Sequence, residues 1–329
     1  MEKQYCICNR KKPSNRKRSV KRLKRMLSIL LAAVLVLAVF AGCAPKSEDP
    51  GTTDPGTTDP GTTDPGTTDP GTSDESAKLA VVGSTSVGPL MEKFVAGYSK
   101  VKPNVEIEVT QVGSGAGITA AVDGTADIGM SSRDLKDEEV QKGLVPTSIA
   151  IDAIAVVVHP DNKVENLTVD QIQKIFSGEI TNWKDVGGED KAITVVSREE
   201  GSGTRSAFEE LVGLQREVEK DGQKLTESLL SDKAVTSEGT GAVKATVAGN
   251  PQAIGYISLG MMESSVKAVS VDGVACSVED VVAGTYKISR PFLLVTKGEA
   301  TGAAKEFIEY ILSDEAQALV EENGYIKIQ

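Results

Sequence analysis

The 329-residue sequence contains a single histidine, His159, and aromatic residues make up only 4% of it. The usual Ser-His and Cys-His catalytic pairs therefore have only one imidazole to draw on, and its place before Pro160 at the end of an apolar run favours a structural role. Cysteine is also scarce, and two of the four, Cys6 and Cys8, lie in a basic leader. Neither a disulfide framework nor a zinc site is expected. These shortages argue against an enzyme and against any metal or other cofactor.

Residues 1–42 are predicted to be a signal peptide. Eleven of the 36 Lys and Arg residues lie before Met26, and an uncharged apolar stretch follows as far as Phe40. This stretch is too short for an ordinary membrane span and ends in small residues. Ala41-Gly42-Cys43 resembles the lipobox of bacterial lipoproteins, in which Cys43 becomes the lipidated first residue. An uncleaved signal anchor is the alternative.

Residues 43–77 are predicted to be a lipidated N-terminus followed by a linker. The sequence PGTTD occurs four times from Pro50 and is followed by PGTSD, which ends at Asp74. Such a tract has nothing to bury and stays extended, so we expect a tether that holds the folded part away from a membrane. Without the leader the chain carries a net charge of about −21, which excludes non-specific binding to nucleic acid.

From Lys78 onward the hydrophobic pattern alternates between strand-like and helix-like segments. Such alternation predicts α/β lobes with mainly parallel sheets and ligands at the carboxyl ends of strands. Strands are predicted over Leu79–Val82, Val105–Val109, Ile128–Met130, Ile149–Val158, Ile193–Val196, Ile254–Ile257, Val266–Val271 and Phe292–Val295. Helices are predicted near 87–98, 118–122, 169–176, from 203, and over 242–247, 303–311 and 315–322.

Turns rich in glycine and hydroxyl groups follow three of these strands: Gly83-Ser84-Thr85-Ser86, Gly113-Ser114-Gly115-Ala116-Gly117 and the stretch from Arg198 to Arg205. A fourth candidate segment, Asp127 to Asp134, places the hydroxyl groups of Ser131 and Ser132 and the side chain of Arg133 after a short strand. Free N–H groups at a helix start, together with the positive end of its dipole, attract a small anion, and hydroxyl groups and arginine add donors. One such turn alone is more often an ordinary helix cap. Their recurrence predicts one anion site walled by several helix N-termini.

Six segments resemble, in this order, the phosphate-binding proteins of bacterial phosphate-specific ABC transporters: VVGSTSVGPL, QVGSGAG, ADIGMSSRDL, IFSGEITNWKDVGG, SREEGSGTRSAFEE and NPQAIGYISLG. The resemblance runs from about Leu79 to the C-terminus. It implies a type II periplasmic-binding-protein fold, in which two α/β lobes joined by two crossing hinge strands close a cleft on the ligand. Residues 78–157 and 257–329 are expected to form the first lobe, and residues 158–256 the second.

Carried over by motif position, the phosphate contacts implied by the resemblance fall on Thr85, Ser86, Ser114, Ser132, Arg198, Ser202, Gly203 and Thr204. Arg133 is a further candidate because it adjoins one of the turns. Many relatives have an Asp where this chain has Ser132, and that carboxylate can accept the proton of monohydrogen phosphate while it rejects sulfate. Either Asp152 or Asp134 replaces it here, or discrimination against sulfate is weaker.

The resemblance implies a lipid-anchored, extracytoplasmic monomer that captures inorganic phosphate and delivers it to the permease subunits of an ABC transporter. No chemistry on the ligand is expected. Another tetrahedral oxyanion, such as sulfate or molybdate, is the alternative within the same class. A secreted phosphohydrolase and a surface adhesin are the alternatives from other classes; the shortage of metal ligands argues against the first, and the tether would suit the second.

Overall fold

The computed structural model of the chain describes residues 76–220 and 223–328. The predicted signal peptide, Cys43 and the PGTTD repeat lie outside the described residues. Within them the chain forms thirteen strands: β1 (Ala77–Gly83), β2 (Val105–Gln111), β3 (Ile128–Ser131), β4 (Leu144–Val158), β5 (Asn166–Leu167), β6 (Thr194–Arg198), β7 (Gln215–Lys220), β8 (Gln223–Ser228), β9 (Val235–Ser237), β10 (Ala253–Ser258), β11 (Lys267–Ala268), β12 (Ser270–Val271) and β13 (Ser289–Lys297).

The helices of the described part alternate with these strands. They are α1 (Gly88–Val101), α2 (Ser114–Asp123), α3 (Asp137–Val140), α4 (Val169–Ser177), α5 (Gly203–Leu211), α6 (Gly239–Ala248), α7 (Val278–Val282), α8 (Gly302–Ile311) and α9 (Asp314–Glu322), with short 3-10 helices at Trp183–Val186 and Leu259–Met261. All the helices predicted from the apolar periodicity are present, so the α/β prediction is confirmed. No described helix has the length and apolar character needed to cross a membrane.

The strands of the main sheet follow the order β2-β1-β3-β13-β4-β10-β6-β9. At one end β2, β1 and β3 are parallel, and at the other end β10, β6 and β9 are parallel. Between them, β13 and β4 pair antiparallel with each other and with their outer neighbours. The parallel prediction is therefore correct for the two ends and wrong for the middle, because an apolar run does not reveal the direction of its partner.

The long strand β4 passes from one end of the sheet to the other. Its residues from Leu144 to Ala153 pair with β13, whereas those from Ile154 to Val158 pair with β10. We call the paired segments of β4 and β13 the strand crossing. Because it links the two parallel groups, every change in their relative position must pass through it.

Two large hydrophobic clusters divide the core, and residues of the strand crossing belong to both. One, the first lobe, draws its buried residues from 79–150 and 292–325. The other, the second lobe, draws them from 153–288, and it includes Val271, Tyr286 and Ile288. The predicted boundary at 256/257 remains a prediction, but these clusters favour a return to the first lobe at β13 instead. Such separate cores are what allows two lobes to move as units.

Among the differences from the predicted elements, two concern strands near the charged hairpin and the end of the second lobe. The hairpin of β7 and β8 carries charged residues along most of its length, with Val218 opposite Leu225, so it lacks the apolar alternation that signals a strand. The predicted strand Val266–Val271 is divided into β11, which pairs with β4, and β12, which pairs with β5.

Candidate functional site

A group of buried hydroxyl side chains lies where the strands of the first lobe end. Ser84 and Ser86 follow β1, Ser114 begins α2, and Ser132 follows β3; all four are at most 2% exposed. The Ser132 hydroxyl lies 2.9 Å from that of Ser84 and 3.3 Å from that of Ser114, and the Ser132 N–H donates to Ser114 Oγ at 3.1 Å. With Thr85, these residues form what we call the first wall.

The second wall comes from the second lobe. Among the described residues, it contains the only guanidinium that is hydrogen-bonded to hydroxyl side chains of the walls. Arg198 ends β6 and is 1% exposed. Its Nη1 donates to Thr204 Oγ1 at 3.3 Å and to Thr240 Oγ1 at 3.0 Å. Thr204 lies in the first turn of α5 and Thr240 in the first turn of α6. Ser202 completes the second wall as the N-cap of α5, where its hydroxyl accepts from the N–H of Arg205.

The two walls contact each other directly. The Ser86 hydroxyl lies 2.9 Å from that of Thr204 and 3.0 Å from that of Thr240, and Arg198 Nη2 donates to Thr85 Oγ1 at 3.0 Å. These contacts join residues that are 113 to 154 positions apart in the chain. The cleft between the lobes is therefore closed in this structure.

Glycine is required at the closest approach of the walls. A Cβ atom on Gly203 would lie 2.2 Å from Ser114 Oγ and 2.8 Å from Ser132 Oγ. The N–H of Gly115 donates to the carbonyl of Gly201 at 3.0 Å, again across the cleft. Any larger residue at position 203 would push the walls apart.

Four helices begin at this cleft: α1, α2, α5 and α6 follow the turns that carry the wall residues. The first turn of each helix has N–H groups without intrahelical partners, and the helix dipole places positive potential there. Hydroxyl groups, helix N-termini and one guanidinium form a set of donors that matches a small tetrahedral oxyanion.

The guanidinium of Arg198 is held in place by Glu199. Nε donates to Glu199 Oε2 at 2.8 Å and Nη2 to Oε1 at 2.6 Å, while the N–H of Gly239 donates to Oε2 at 3.1 Å. Burial acts to raise the pKa of the Glu199 carboxyl, but the hydrogen bonds and charge of Arg198 outweigh it and keep this pKa below its ordinary value. Glu199 thus stays ionised and fixes the fork of Arg198.

All eight phosphate contacts implied by the resemblance come together at the two walls: Thr85, Ser86, Ser114, Ser132, Arg198, Ser202, Gly203 and Thr204. Thr240 was missed. The signal for it was present, since Gly239-Thr240-Gly241 is one more glycine-rich turn after a strand. That strand, β9, has only three residues, which is too short to show a hydrophobic pattern.

Arg133 does not join the walls. Its Nη1 and Nη2 donate to the two oxygens of Glu139 at 2.8 and 2.7 Å, and Nη1 also donates to the carbonyl of Asp134. The prediction that Arg133 contacts the anion is not supported by this geometry. The side chain instead ties the loop after β3 to α3, which begins three residues after Asp134.

Neither predicted proton acceptor contacts the walls. Asp134 is exposed. Asp152, on β4, is fully buried, but its Oδ1 accepts from Ser258 at 2.7 Å and its Oδ2 from Arg290 at 3.0 Å. Burial raises the pKa of the Asp152 carboxyl against the opposing effects of Arg290 and Ser258. Within the described residues, no carboxylate is hydrogen-bonded to a hydroxyl group of either wall.

The described residues contain no group of three or more His, Cys, Asp or Glu side chains that could hold a metal ion. His159 lies away from the walls, with its Nδ1 accepting from the N–H of Asp161 at 3.1 Å. The walls therefore present donors and neutral hydroxyl groups rather than a nucleophile paired with a base.

Comparison with known proteins identifies the family. A sequence model of the PBP superfamily domain matches residues 62–315. The chain is also 32% identical over 313 residues to phosphate-binding protein PstS of Bacillus subtilis, across 94% of this chain and 95% of the relative. The chain belongs to the phosphate-binding proteins of the PBP superfamily.

Similarity to solved structures supports membership of this family. A Clostridium perfringens protein solved with bound phosphate is 47% identical, with a TM-score of 0.71 over 77% of this chain and 100% of that one. An ABC-type phosphate transport receptor from Vibrio cholerae is 38% identical, with a TM-score of 0.63 over 75% and 99% of the two chains. The predicted two-lobed α/β fold of this phosphate-binding protein is thereby confirmed.

Glu199→Gln should make folding stability less sensitive to acid. The pKa of this carboxyl is lowered in the folded state, so the unfolded chain binds the proton more tightly and the contribution present at neutral pH is lost as pH falls. Urea unfolding at a series of pH values measures the free energy of unfolding of the wild type and of the variant. The difference between the two free energies should become smaller as the pH falls from about 7 to about 3. The neighbouring exposed residue Glu200 supplies the control, Glu200→Gln. A difference in the free energy of unfolding that stays constant over this pH range would contradict the lowered pKa of Glu199.

Proposed function

We propose that this chain captures inorganic phosphate in the cleft and holds it between the two walls. The observation that carries the proposal is the buried fork of Arg198, which faces hydroxyl groups of both walls and lies near the N-termini of four helices. Membership of the phosphate-binding protein family supports the same ligand. The role is one of binding and delivery, not of catalysis.

The hydroxyl groups of the walls would replace a carboxylate as acceptors. A serine or threonine hydroxyl can donate to one oxygen and accept from a protonated one. Because no carboxylate of the described residues is bonded to the wall hydroxyls, sulfate meets no unpaired negative acceptor there. We therefore expect sulfate to compete measurably with phosphate, although the family favours phosphate as the ligand.

Arg198→Ala should weaken phosphate binding by about 2–4 kcal/mol, because it removes the charged donor from a buried site. Arg198→Lys should recover only part of the loss, since an ammonium group cannot reproduce the planar fork. Calorimetric titration of the purified full chain with phosphate measures the affinity of each variant. Retention of wild-type affinity by Arg198→Ala would refute the proposed site, and hydrolysis of phosphate esters by the wild type would favour the phosphohydrolase instead.

The same titrations can include Thr240, the wall residue that the sequence did not reveal. Thr240→Val should weaken binding by about 1 kcal/mol, as the loss of one neutral hydrogen bond. Thr246→Val is the matched control on the same helix, because the Thr246 hydroxyl donates to the carbonyl of Ala242 and lies 3.3 Å from that of Ser237. Equal effects of the two substitutions would count against a role for Thr240.

We further propose that the protein works on the outer face of the cell membrane as a monomer, held by a lipid on Cys43 and spaced by the PGTTD repeat. Permease subunits of an ABC transporter are the proposed recipients of the phosphate. The solved relative named as an ABC-type phosphate transport receptor supports such a partner. The basic segment and the apolar stretch before Cys43 support export and lipidation, because they match the pattern of a signal peptide.

Cys43→Ala should release the protein from the membrane fraction, because the acyl groups on this residue supply the proposed attachment. Fractionation of cells followed by immunoblotting measures the distribution. Cys276→Ala is the control, since Cys276 lies within the folded part and should leave the protein on the membrane. Full membrane retention of a signal-cleaved Cys43→Ala protein would contradict the anchor.

A further inference from the structure

A buried ion pair joins the two strands of the strand crossing. Arg290 on β13 and Asp152 on β4 are direct cross-strand partners. Their side chains are 2% and 0% exposed, and Oδ2 of Asp152 accepts from Nη2 at 3.0 Å and from Nε at 3.3 Å. The ring of Phe292, 5.5 Å from the guanidinium carbon, packs beside it. A fully buried ion pair of this kind contributes little net stability. Stability alone therefore does not explain why this pair lies at the strand crossing.

The third nitrogen of Arg290 reaches the first wall. Nη1 donates to the backbone carbonyl of Ser132 at 3.1 Å. Ser132 is the central residue of that wall, because its hydroxyl lies within 3.3 Å of the hydroxyls of both Ser84 and Ser114. One rigid guanidinium therefore connects the strand crossing with the loop that presents the Ser132 hydroxyl.

Arg290 has no hydrogen bond to a wall hydroxyl among the described residues, so it is not placed as a ligand of the anion. Asp152 neutralises the charge of Arg290, just as Glu199 neutralises that of Arg198. The difference is that Arg198 donates to hydroxyl groups of both walls. The effect of Arg290 on the site must pass through the backbone of Ser132. A planar fork that binds a carboxylate and a carbonyl at once fixes both in one geometry.

We propose that Arg290 is a positioning residue for the anion site. By binding both the backbone carbonyl of Ser132 and the carboxylate of Asp152, Arg290 holds the Ser132 hydroxyl in place relative to the strand crossing. The proposal rests on the proposed function, since it concerns affinity for phosphate. The strand crossing would then shape the binding site, although neither Asp152 nor Arg290 is placed as a ligand of the anion.

The test is a thermodynamic cycle between positions 290 and 132, measured by calorimetric titration of the full chain with phosphate. Arg290→Lys keeps a cation beside Asp152 but cannot span both partners, and we expect it to raise the Kd about tenfold. In a Ser132→Ala background the same substitution should change the Kd less than about twofold, because the hydroxyl that Arg290 positions is already absent. Equal effects in the two backgrounds would overturn the proposal, since a general loss of structure would act on both.

A second variant covers the case in which Arg290→Lys fails to fold. The combined change Asp152→Leu with Arg290→Met replaces the pair by apolar groups, which proteins tolerate well, and it removes the same anchor on Ser132. The expected loss of affinity is again about tenfold. Wild-type affinity in this folded double variant would overturn the proposal.

Gln317→Met is the matched control. Gln317 is buried, and its Nε2 donates at 3.1 Å to the carbonyl of Ile149, on the same strand as Asp152. The change should lower thermal stability and leave the Kd within about twofold of wild type; a tenfold rise would show that any damage near β4 weakens binding, and would overturn the specific role of Arg290. If the wild type binds no phosphate, the proposed function itself fails. If it binds and every Arg290 variant binds equally well, only the positioning role fails.

Discussion

The fork of Arg198 is the interaction on which the closed arrangement depends. All three of its nitrogens donate hydrogen bonds, to Glu199, Thr204, Thr240 and Thr85. A buried arginine without such partners would cost several kcal/mol, so the carboxylate of Glu199 is what permits this charge to lie between the lobes. The Gly239 N–H that donates to Glu199 places the start of α6 there as well.

Charge in and near the site is balanced before any ligand arrives. Arg198 is paired with Glu199 and Arg290 with Asp152, and the chain as a whole is acidic, with a formal net charge of −11 that includes the basic leader. Long-range attraction therefore does not bring an anion to this cleft. Affinity must come from short-range donors, namely hydroxyl groups and the N-termini of helices, which act strongly only when water is excluded. This is a physical reason for a cleft that closes.

Where the chemistry is local, the sequence indicated residues that the structure brings together. Ser114 and Thr204 could be found because a glycine-rich turn after a strand signals an anion-binding helix start. The geometry does not support Arg133 as a contact of the anion, because adjacency to such a turn does not fix the direction of a side chain. Glu139, six residues away, is its partner instead.

The contacts that depend on pairing between distant strands could not be predicted. Asp152 and Arg290 are 138 residues apart, and they meet because of the register between β4 and β13. Nothing in an apolar run with one embedded acid reveals such a register. For the same reason the sequence could not show that the Asp152 carboxylate accepts hydrogen bonds from Arg290 and Ser258. With these partners, Asp152 is not free to accept a proton from the anion.

Closure around the anion is the central claim, and small-angle scattering of residues 76–329 tests it most directly. With saturating phosphate the wild type should become more compact, because contacts from both walls are satisfied together only in the closed state. The Arg198→Ala protein, lacking the fork that reaches Thr85 across the cleft, should show little change at the same phosphate concentration. Identical radii of gyration for the wild type with and without phosphate would contradict the account.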